Sequence, residues 1–247
     1  MTNAAQHIDR TMFFESIPEI LKLWFLDDEP LWFILNTIRE AIYTIARNYS
    51  DKYNEISKGI FISKNVKRID RCVEIYGPAL IGEGSELRHG AFLRENVIIG
   101  DNCVVGNSAE IKNSVLFDNV EVPHFNYIGD SILGNYAHLG AGAKTSNVLL
   151  LKNKKKMVEE LKLDAELAKK CIVQKKVKIK MPNGEWVETG LGKFGAIIGD
   201  YAEIGVNATM NPGTLLEKGA FVPSSVNIGG YFKSDFVFHR NIIYQSG

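Results

Sequence analysis

The sequence has few cysteines, no excess of charge and no long apolar run. Its three cysteines are odd in number and lack metal-type spacing, so no metal site is expected from them. Lysine plus arginine number 29, as do aspartate plus glutamate, and the formal net charge is zero. This balance gives no basic footprint for nucleic acid and no field for an acidic membrane, so we expect neither as a partner.

The apolar stretches are too short for a membrane or a leader segment. Residues 1–10 have no apolar core of signal-peptide type. The most hydrophobic stretch, Leu31 to Ala46, is interrupted by Arg39 and Glu40 well before membrane-spanning length. We therefore expect a cytoplasmic protein.

What the sequence has instead is an aliphatic residue at every sixth position. The first tract runs through Ile69, Ile75, Ile81, Leu87, Leu93, Ile99, Val105 and Ile111, and a second runs through Ile198, Ile204, Met210, Leu216 and Val222. The residue four places after each is usually small or apolar, as at Cys103, which is expected to be a buried thiol. A period of six fits neither an amphipathic helix nor a long alternating strand, so it predicts short strands stacked coil on coil in a parallel β-helix.

The repeat slips twice and is absent from three regions. Each slip shortens the spacing by a single position, from Ile111 to Leu116 and from Ile128 to Leu133. The predicted organisation is an N-terminal helical segment (1–58), a first β-helix part (59–147), an insertion (148–192), a second β-helix part (193–228) and a C-terminal cap (229–247). Two helices are expected in 11–50, separated at 28–30, and their aromatic residues are expected to pack on the β-helix end or on a partner subunit.

The insertion is expected to contain a helix followed by a hairpin. The helix is predicted for about 154–170, and the hairpin strands for 176–180 and 185–189 around the turn Pro182-Asn183-Gly184. Its lysine-rich start is typical of a solvated surface.

The first candidate for chemistry is a pair of cations, Arg94 and Lys112. They are separated by three hexads, and each follows an inward aliphatic residue. If one coil is three hexads, the two side chains stack about 5 Å apart by strand spacing. Two cations this close repel each other unless an anion lies between them, although two ordinary surface charges remain an alternative.

A second candidate is the stretch P-H-F-N-Y-I-G-D at 123–130, which lies between the two slips. A slip changes how a coil corner projects its side chains, so His124 and Tyr127 are expected to project from the regular wall. Histidine accepts a proton near neutral pH, as transfer to an amine requires. A purely structural histidine is the alternative.

The sequence continues with L-G-A-G-A-K-T-S-N at 139–147 and, after the insertion, G-K-F-G-A-I-I-G-D at 192–200. With these motifs, residues from about 87 to 226 resemble the left-handed β-helix hexapeptide acyltransferases. The resemblance is to the acetyltransferase half of the bifunctional UDP-N-acetylglucosamine diphosphorylase/glucosamine-1-phosphate N-acetyltransferases. It implies a mainly β, left-handed parallel β-helix with N-terminal helices and an inserted helix and hairpin.

The resemblance also implies roles for individual residues. Phosphate binding is implied for Arg94 and Lys112, general-base catalysis for His124, and sugar contacts for Tyr127, Asn147, His138 and Lys193. Backbone amides or Asn147 are implied to stabilise the oxyanion, and Ala141 and Ser224 to contact the acetyl-CoA co-substrate. His138 replaces an asparagine of the family, which leaves the acceptor sugar open, and no metal is implied.

The implied activity is acetyl-CoA-dependent N-acetylation of an amino-sugar phosphate such as glucosamine-1-phosphate or galactosamine-1-phosphate, by a homotrimer with sites between subunits. Nothing in residues 1–60 resembles the glycine-rich nucleotide loop of the family's other half, so no nucleotidylyltransferase activity is expected. A non-catalytic scaffold or regulatory subunit related to sugar nucleotidylyltransferases is the main alternative. A nucleotide-linked amino sugar or an O-acetyl acceptor also remains open.

Overall fold

The computed structural model describes residues 8–26, 29–150, 159, 162 and 175–234. Over these residues the six-residue repeat builds a left-handed parallel β-helix, as predicted. Leu93, Ile111 and Ile128 are successive register partners, so a coil of three full hexads is followed by a coil that is shorter by a single position. The pairing of Leu116 with Leu133 has the same shortened interval, which confirms the predicted slips.

Each coil contributes one short strand to each of three walls, and two long strands turn a corner between the second and third walls. The first wall contains Arg68–Ile69, Glu86–Leu87, Val104–Asn107, Glu121–His124, His138–Leu139, Glu203–Ile204 and Phe221–Val222. The second wall contains Glu74–Tyr76, Tyr127–Gly129, Lys144–Thr145, Thr209–Met210, Asn227–Ile228 and the first halves of Phe92–Ile99 and Glu110–Leu116. The third wall contains the second halves of those two strands, with Ile60–Ser63, Ala79–Ile81, Ile132–Leu133, Ala196–Ile198, Thr214–Leu216 and Tyr231–Phe232.

The aliphatic residues of the repeat fill the inside of the coils. Leu87, Leu93, Val105 and Ile111 are fully buried there, and Cys103 is also buried. Ile69 is 37% exposed because it lies on the open first coil. The core is therefore one continuous apolar column.

The N-terminal segment differs from the two predicted helices. It contains 3₁₀ turns at Arg10–Met12, Glu19–Trp24 and Phe33–Asn36, and one α-helix at Ile38–Asn48. Within the α-helix, Ile38, Ala41, Ile42 and Ile45 recur at helical spacing and are buried. 3₁₀ helices are seldom long. The region preceding Ile38 is accordingly a series of short turns along the surface of the β-helix.

This segment packs along the side of the β-helix, which corrects the expected position at its end. A second apolar cluster joins the N-terminal aromatic residues to the outer face of the third wall. That outer face is formed by Leu80, Ile98, Val115, Ile132, Ile197 and Leu215, all fully buried. Phe117 makes ring contacts with Phe14 and Phe25, with centroids 4.8 and 5.3 Å apart. The third wall is therefore apolar on both faces.

The hairpin of the insertion is present as predicted, with antiparallel strands Lys178–Lys180 and Trp186–Glu188. One face buries Ile179 and Val187 in the cluster that covers the third wall. A strand, Tyr53–Ser57, pairs antiparallel with the first strand of the third wall. The predicted helix at 154–170, Cys171 and most of the predicted cap lie outside the described residues, while Tyr231–Phe232 extend the third wall beyond 228.

Among the described residues, no helix is both long enough and apolar enough to cross a membrane.

Candidate active site

The outer face of the second wall carries most of the predicted site. Successive side chains of a strand point to opposite faces, so the buried Leu93, Ile111 and Ile128 alternate with outward positions. Arg94 and Lys112 occupy two of these outward positions and are direct register partners. The predicted stacking of the two cations is confirmed.

Each of the two cations also has a carboxylate partner. Nη1 of Arg94 donates to Oε1 of Glu110 across 2.7 Å, and this hydrogen bond raises the pKa of the guanidinium. Nζ of Lys112 lies 3.6 Å from Oδ2 of Asp130. The charge of the stacked pair is therefore balanced within the chain, so an incoming anion must compete with Glu110 for the guanidinium.

The Tyr127 side chain lies over Gly129, which is two residues later on the same strand. A Cβ atom at Gly129 would be 2.7 Å from the Tyr127 hydroxyl oxygen and 2.7 Å from Nδ2 of Asn147. Only a residue without a side chain leaves room for this convergence of hydroxyl and amide. Burial raises the pKa of the Tyr127 phenol, and the charges of Asp130 and Glu110 raise it further, so the hydroxyl keeps its proton at neutral pH.

Asp130 links this cluster to the corner between the second and third walls. Its carboxylate accepts hydrogen bonds from Nδ2 of Asn147 and, at 2.9 Å, from Nδ2 of Asn113. Asn113 also accepts from Nδ2 of Asn96 at 3.3 Å and donates to the carbonyl oxygen of Leu35 at 3.2 Å. This row of corner side chains fixes Asn147 against the β-helix, since buried polar groups need partners.

Lys193 is brought next to Asn147 in spite of the insertion between them. The backbone N–H of Phe194 donates to the carbonyl oxygen of Asn147 across 3.0 Å. The N–H of Gly195 donates to the carbonyl oxygen of Asp130 across 2.8 Å. The chain therefore leaves and rejoins the same corner, with Lys193 half-buried at the point of return.

His124 lies at a different corner, between the first and second walls. Its side chain is exposed, and its backbone N–H donates to Oδ1 of Asn126 across 2.9 Å. The buried Asn126 amide donates in turn to the carbonyl oxygen of Gly140. The next residue, Phe125, has a positive φ of 53° and is 61% exposed. The backbone under the imidazole is thus held while the ring faces outward.

Ala141 and Ser224 follow His124 along this corner. The N–H of Gly142 donates to the carbonyl oxygen of His124, which places Ala141 one coil later. Ser224 lies two coils beyond Ala141, because Asn207 bonds to Ala141 and Ser225 bonds to Val206. Both side chains are partly exposed.

His138 points outward from the first wall, where its register partners are Glu121 and Glu203. Its Nδ1 lies 2.8 Å from Oε2 of Glu203. The predicted residues therefore form three groups in one chain, one of which is the row of His124, Ala141 and Ser224 at the corner between the first and second walls. Arg94, Lys112, Tyr127, Asn147 and Lys193 lie on or beside the second wall, and His138 lies around the corner on the first.

Glu110 and Asp130 were not among the residues predicted for the site. Glu110 lies two positions before Lys112, and Asp130 is the last residue of the stretch 123–130. A carboxylate two positions from a lysine on one strand shares its face, and this spacing is the signal that identifies Glu110. Among the residues that the structure describes, no cluster of three potential metal ligands occurs.

Comparison with known proteins identifies what this β-helix is similar to. Residues 75–185 match the family model described as the GMPPB C-terminal domain. A bifunctional sugar-1-phosphate nucleotidylyltransferase/acetyltransferase of Sulfurisphaera tokodaii is 28% identical over 198 residues, covering 70% of this chain and 44% of that protein. A bifunctional protein GlmU of Methanococcus aeolicus is 30% identical over 131 residues, covering 53% of this chain and 26% of that protein.

The chain thus spans less than half the length of these relatives, and the matched share fits their acetyltransferase half. A solved structure of a hexapeptide transferase family protein from Anaplasma phagocytophilum is 16% identical, with a TM-score of 0.34, and covers 74% of this chain and 82% of that one.

Proposed function

We propose that this chain, a left-handed β-helix similar to the acetyltransferase half of bifunctional nucleotidylyltransferase/acetyltransferases, is an acetyl-CoA-dependent N-acetyltransferase. The proposed acceptor is an amino-sugar phosphate such as glucosamine-1-phosphate or galactosamine-1-phosphate. The observation that carries the proposal is the convergence of the Tyr127 hydroxyl and the Asn147 amide above Gly129, beside the stacked Arg94 and Lys112. Such a cluster offers hydrogen bonds to a sugar and two cations to its phosphate.

In the proposed reaction, Arg94 and Lys112 hold the phosphate while Tyr127 and Asn147 orient the sugar. Positioning of the amine against the thioester is the main contribution of this group. The amine nitrogen attacks the thioester carbon, a C–N bond forms, and the C–S bond breaks. His124 accepts the amine proton and returns it to the departing sulfur, while Asn147 donates to the developing oxyanion.

The separation of His138 from the cation pair supports an assembly of several copies. His138 on the first wall and Arg94 on the second face apart in one chain, so a site containing both needs the wall of another copy. We infer a homotrimer, in which the first wall of one subunit meets the second wall of the next, and the substrates imply a cytoplasmic enzyme. Lys193, Ala141 and Ser224 complete the proposed acetyl-CoA and sugar contacts.

A non-catalytic scaffold or regulatory subunit is the second candidate. It is favoured by the ion pairs Arg94–Glu110 and Lys112–Asp130, which balance the charge of the two stacked cations without any ligand. In that case the polar cluster has a structural role, and the N-terminal segment and insertion offer surfaces to a partner.

The experiment that separates the two candidates is acetyl-CoA-dependent thiol release by the purified chain. The acceptor panel contains glucosamine-1-phosphate, galactosamine-1-phosphate and several nucleotide-linked amino sugars. Turnover with one acceptor identifies both the activity and its substrate. No turnover from a folded oligomer supports the scaffold. Release of pyrophosphate from a nucleoside triphosphate and a sugar 1-phosphate would contradict the expected lack of nucleotidylyltransferase activity.

A further inference from the structure

A groove runs between the insertion hairpin, Lys178–Lys180 with Trp186–Glu188, and the later coils of the β-helix. We refer to it as the hairpin groove. Its floor is formed by Ser146, Asn211, Gly229 and Gly230 and its outer side by Lys180 and Trp186, and it encloses about 450 Å³. A Cβ atom at Gly230 would be only 3.7 Å from the Lys180 carbonyl oxygen, so the hairpin comes close to this coil.

The hairpin presents an indole ring that its own packing does not use. Ile179 and Val187 are buried on the inner face, whereas Trp186 on the opposite face is 64% exposed. Leu150, which is 96% exposed, lines the same groove, and an apolar patch shared by two exposed side chains beside a groove is typical of a binding surface.

The same face of the hairpin is basic. Lys176, Lys178 and Lys180 are exposed, and Lys180 is the direct register partner of Trp186. Within the described part of the chain, Lys178 alone of these three forms an ion pair, since its Nζ lies 3.9 Å from Oε1 of Glu188. An indole with cations at its edge suits a flat ring that carries phosphates.

The hairpin groove begins next to the proposed active site along the chain. Ser146, on its floor, directly precedes Asn147, whose amide meets the Tyr127 hydroxyl. From Ser146 the floor passes through Asn211 to Gly229, which is two strand spacings or about 10 Å along the β-helix. A ligand in the groove can therefore have its reactive end at Asn147 and its other end at Trp186.

We propose that the hairpin groove binds a nucleoside diphosphate, with the base stacked on Trp186 and the phosphates held by Lys178 and Lys180. The proposed function supplies two sources for this chemistry, the adenosine diphosphate portion of acetyl-CoA and the diphosphate of a nucleotide-linked amino sugar. The position of the ligand's reacting end rests on the proposed function. The position of its nucleotide end rests on the hairpin alone.

The test is calorimetric titration of the full chain with ADP, UDP, GDP and coenzyme A, in the wild type and in single variants. Trp186→Ala is expected to weaken nucleotide binding about 10-fold or more, whereas Trp186→Phe retains a stacking ring and binds within about threefold of wild type. The pair of substitutions Lys178→Gln and Lys180→Gln is expected to weaken binding and flatten its dependence on salt. Lys58→Gln, at an exposed lysine in the turn between Tyr53–Ser57 and Ile60–Ser63, is the control and leaves binding unchanged.

The wild-type preference identifies the source of the nucleotide. Tighter binding of ADP and coenzyme A assigns the groove to the acyl donor, and tighter binding of UDP or GDP assigns it to the sugar acceptor. Wild-type affinity in Trp186→Ala, or no binding of any nucleotide to the wild type, overturns the proposal. If nucleotide binding depends on Trp186 but no acetyl transfer occurs, the groove proposal is retained and the proposed function is rejected. If acetyl transfer occurs but nucleotide binding does not depend on Trp186, the proposed function is retained and the groove proposal is rejected.

Discussion

Arg94 donates to Glu110 across 2.7 Å, so one of the two stacked cations proposed to hold the substrate's phosphate is already paired within its own wall. The pair is partly exposed, with 43% of the Arg94 side chain and 31% of the Glu110 side chain accessible. Exposed ion pairs contribute little to stability, about 1 kcal/mol or less. Glu110 is therefore better explained as a group that tunes the charge of the site than as one that stabilises the fold.

We predict that Glu110→Gln lowers the KM for a phosphorylated acceptor by roughly two- to fivefold, because the guanidinium loses its competing carboxylate. Steady-state kinetics across a range of acceptor concentrations measure this change. Asp70→Asn, which removes the exposed pair with Arg68 on the first wall, is the control and is expected to leave KM unchanged. An unchanged or higher KM in Glu110→Gln would count against contact between Arg94 and the phosphate.

His124→Ala is expected to lower kcat by about 10²- to 10⁴-fold, which is the usual loss on removing a general base. Its thermal stability and oligomeric mass should match wild type, because the ring is exposed and the backbone is held by Asn126. His89→Ala is the matched control, since His89 is exposed two coils earlier along the same corner. Full activity in His124→Ala would reject the proposed base.

Phe125→Asp is expected to dissociate the proposed trimer. The ring is 61% exposed beside His124, at the corner where the first wall of one copy is proposed to meet its neighbour. A buried charge without a partner in such an interface is strongly unfavourable. Light scattering should give the 27.6 kDa mass of one chain, with retained β-sheet circular dichroism and no activity.

Leu23→Asp provides the comparison for Phe125→Asp. Leu23 is 65% exposed on the N-terminal segment, which covers the third wall and lies away from that corner. This variant should keep the wild-type mass. A trimer that survives Phe125→Asp would exclude this corner from the interface.

Phe117→Ala is expected to lower the free energy of unfolding by about 3 to 5 kcal/mol. The ring is fully buried and contacts Phe14 and Phe25, so its loss leaves a cavity where the N-terminal segment meets the β-helix. Denaturant unfolding measures the change. Leu23→Ala, at a position 65% exposed and away from the proposed interface, should change the free energy of unfolding by less than about 0.5 kcal/mol. Equal effects of the two substitutions would argue against a stabilising contact between Phe117 and the N-terminal segment.

The sequence was sufficient to predict the coils and the stacked cations, because both depend on counting positions along the chain. Once a coil is fixed at three hexads, the pairing of Arg94 with Lys112 follows without any knowledge of side-chain conformation. The shorter coil was equally evident from the spacing of Ile111 and Leu116. The motif after the insertion also pointed to Lys193, which the structure places beside Asn147.

The covering of the third wall was not predicted, although the sequence carries its signal. The strands Ala79–Ile81 and Ala196–Ile198 are apolar at every position, whereas a wall facing water has a polar residue at the middle position. The six-residue period predicts only which positions point inward. It therefore does not predict that the outward Leu80 and Ile197 are buried. The ion pairs of Glu110 and Asp130 were missed for another reason, since they depend on rotamers that a repeat does not specify.

The hydrogen bond from Phe194 to Asn147 closes the insertion at its base, and the ladder continues beyond it with His138 paired to Glu203. Closing so long a loop costs entropy that grows only with the logarithm of its length, about 0.6 kcal/mol for each doubling. The entropy of closing the insertion therefore changes little with its length, so residues can be gained or lost outside the buried hairpin face of Ile179 and Val187 while the stacked coils keep their register. This corner is a position where selection can alter recognition without redesigning the scaffold.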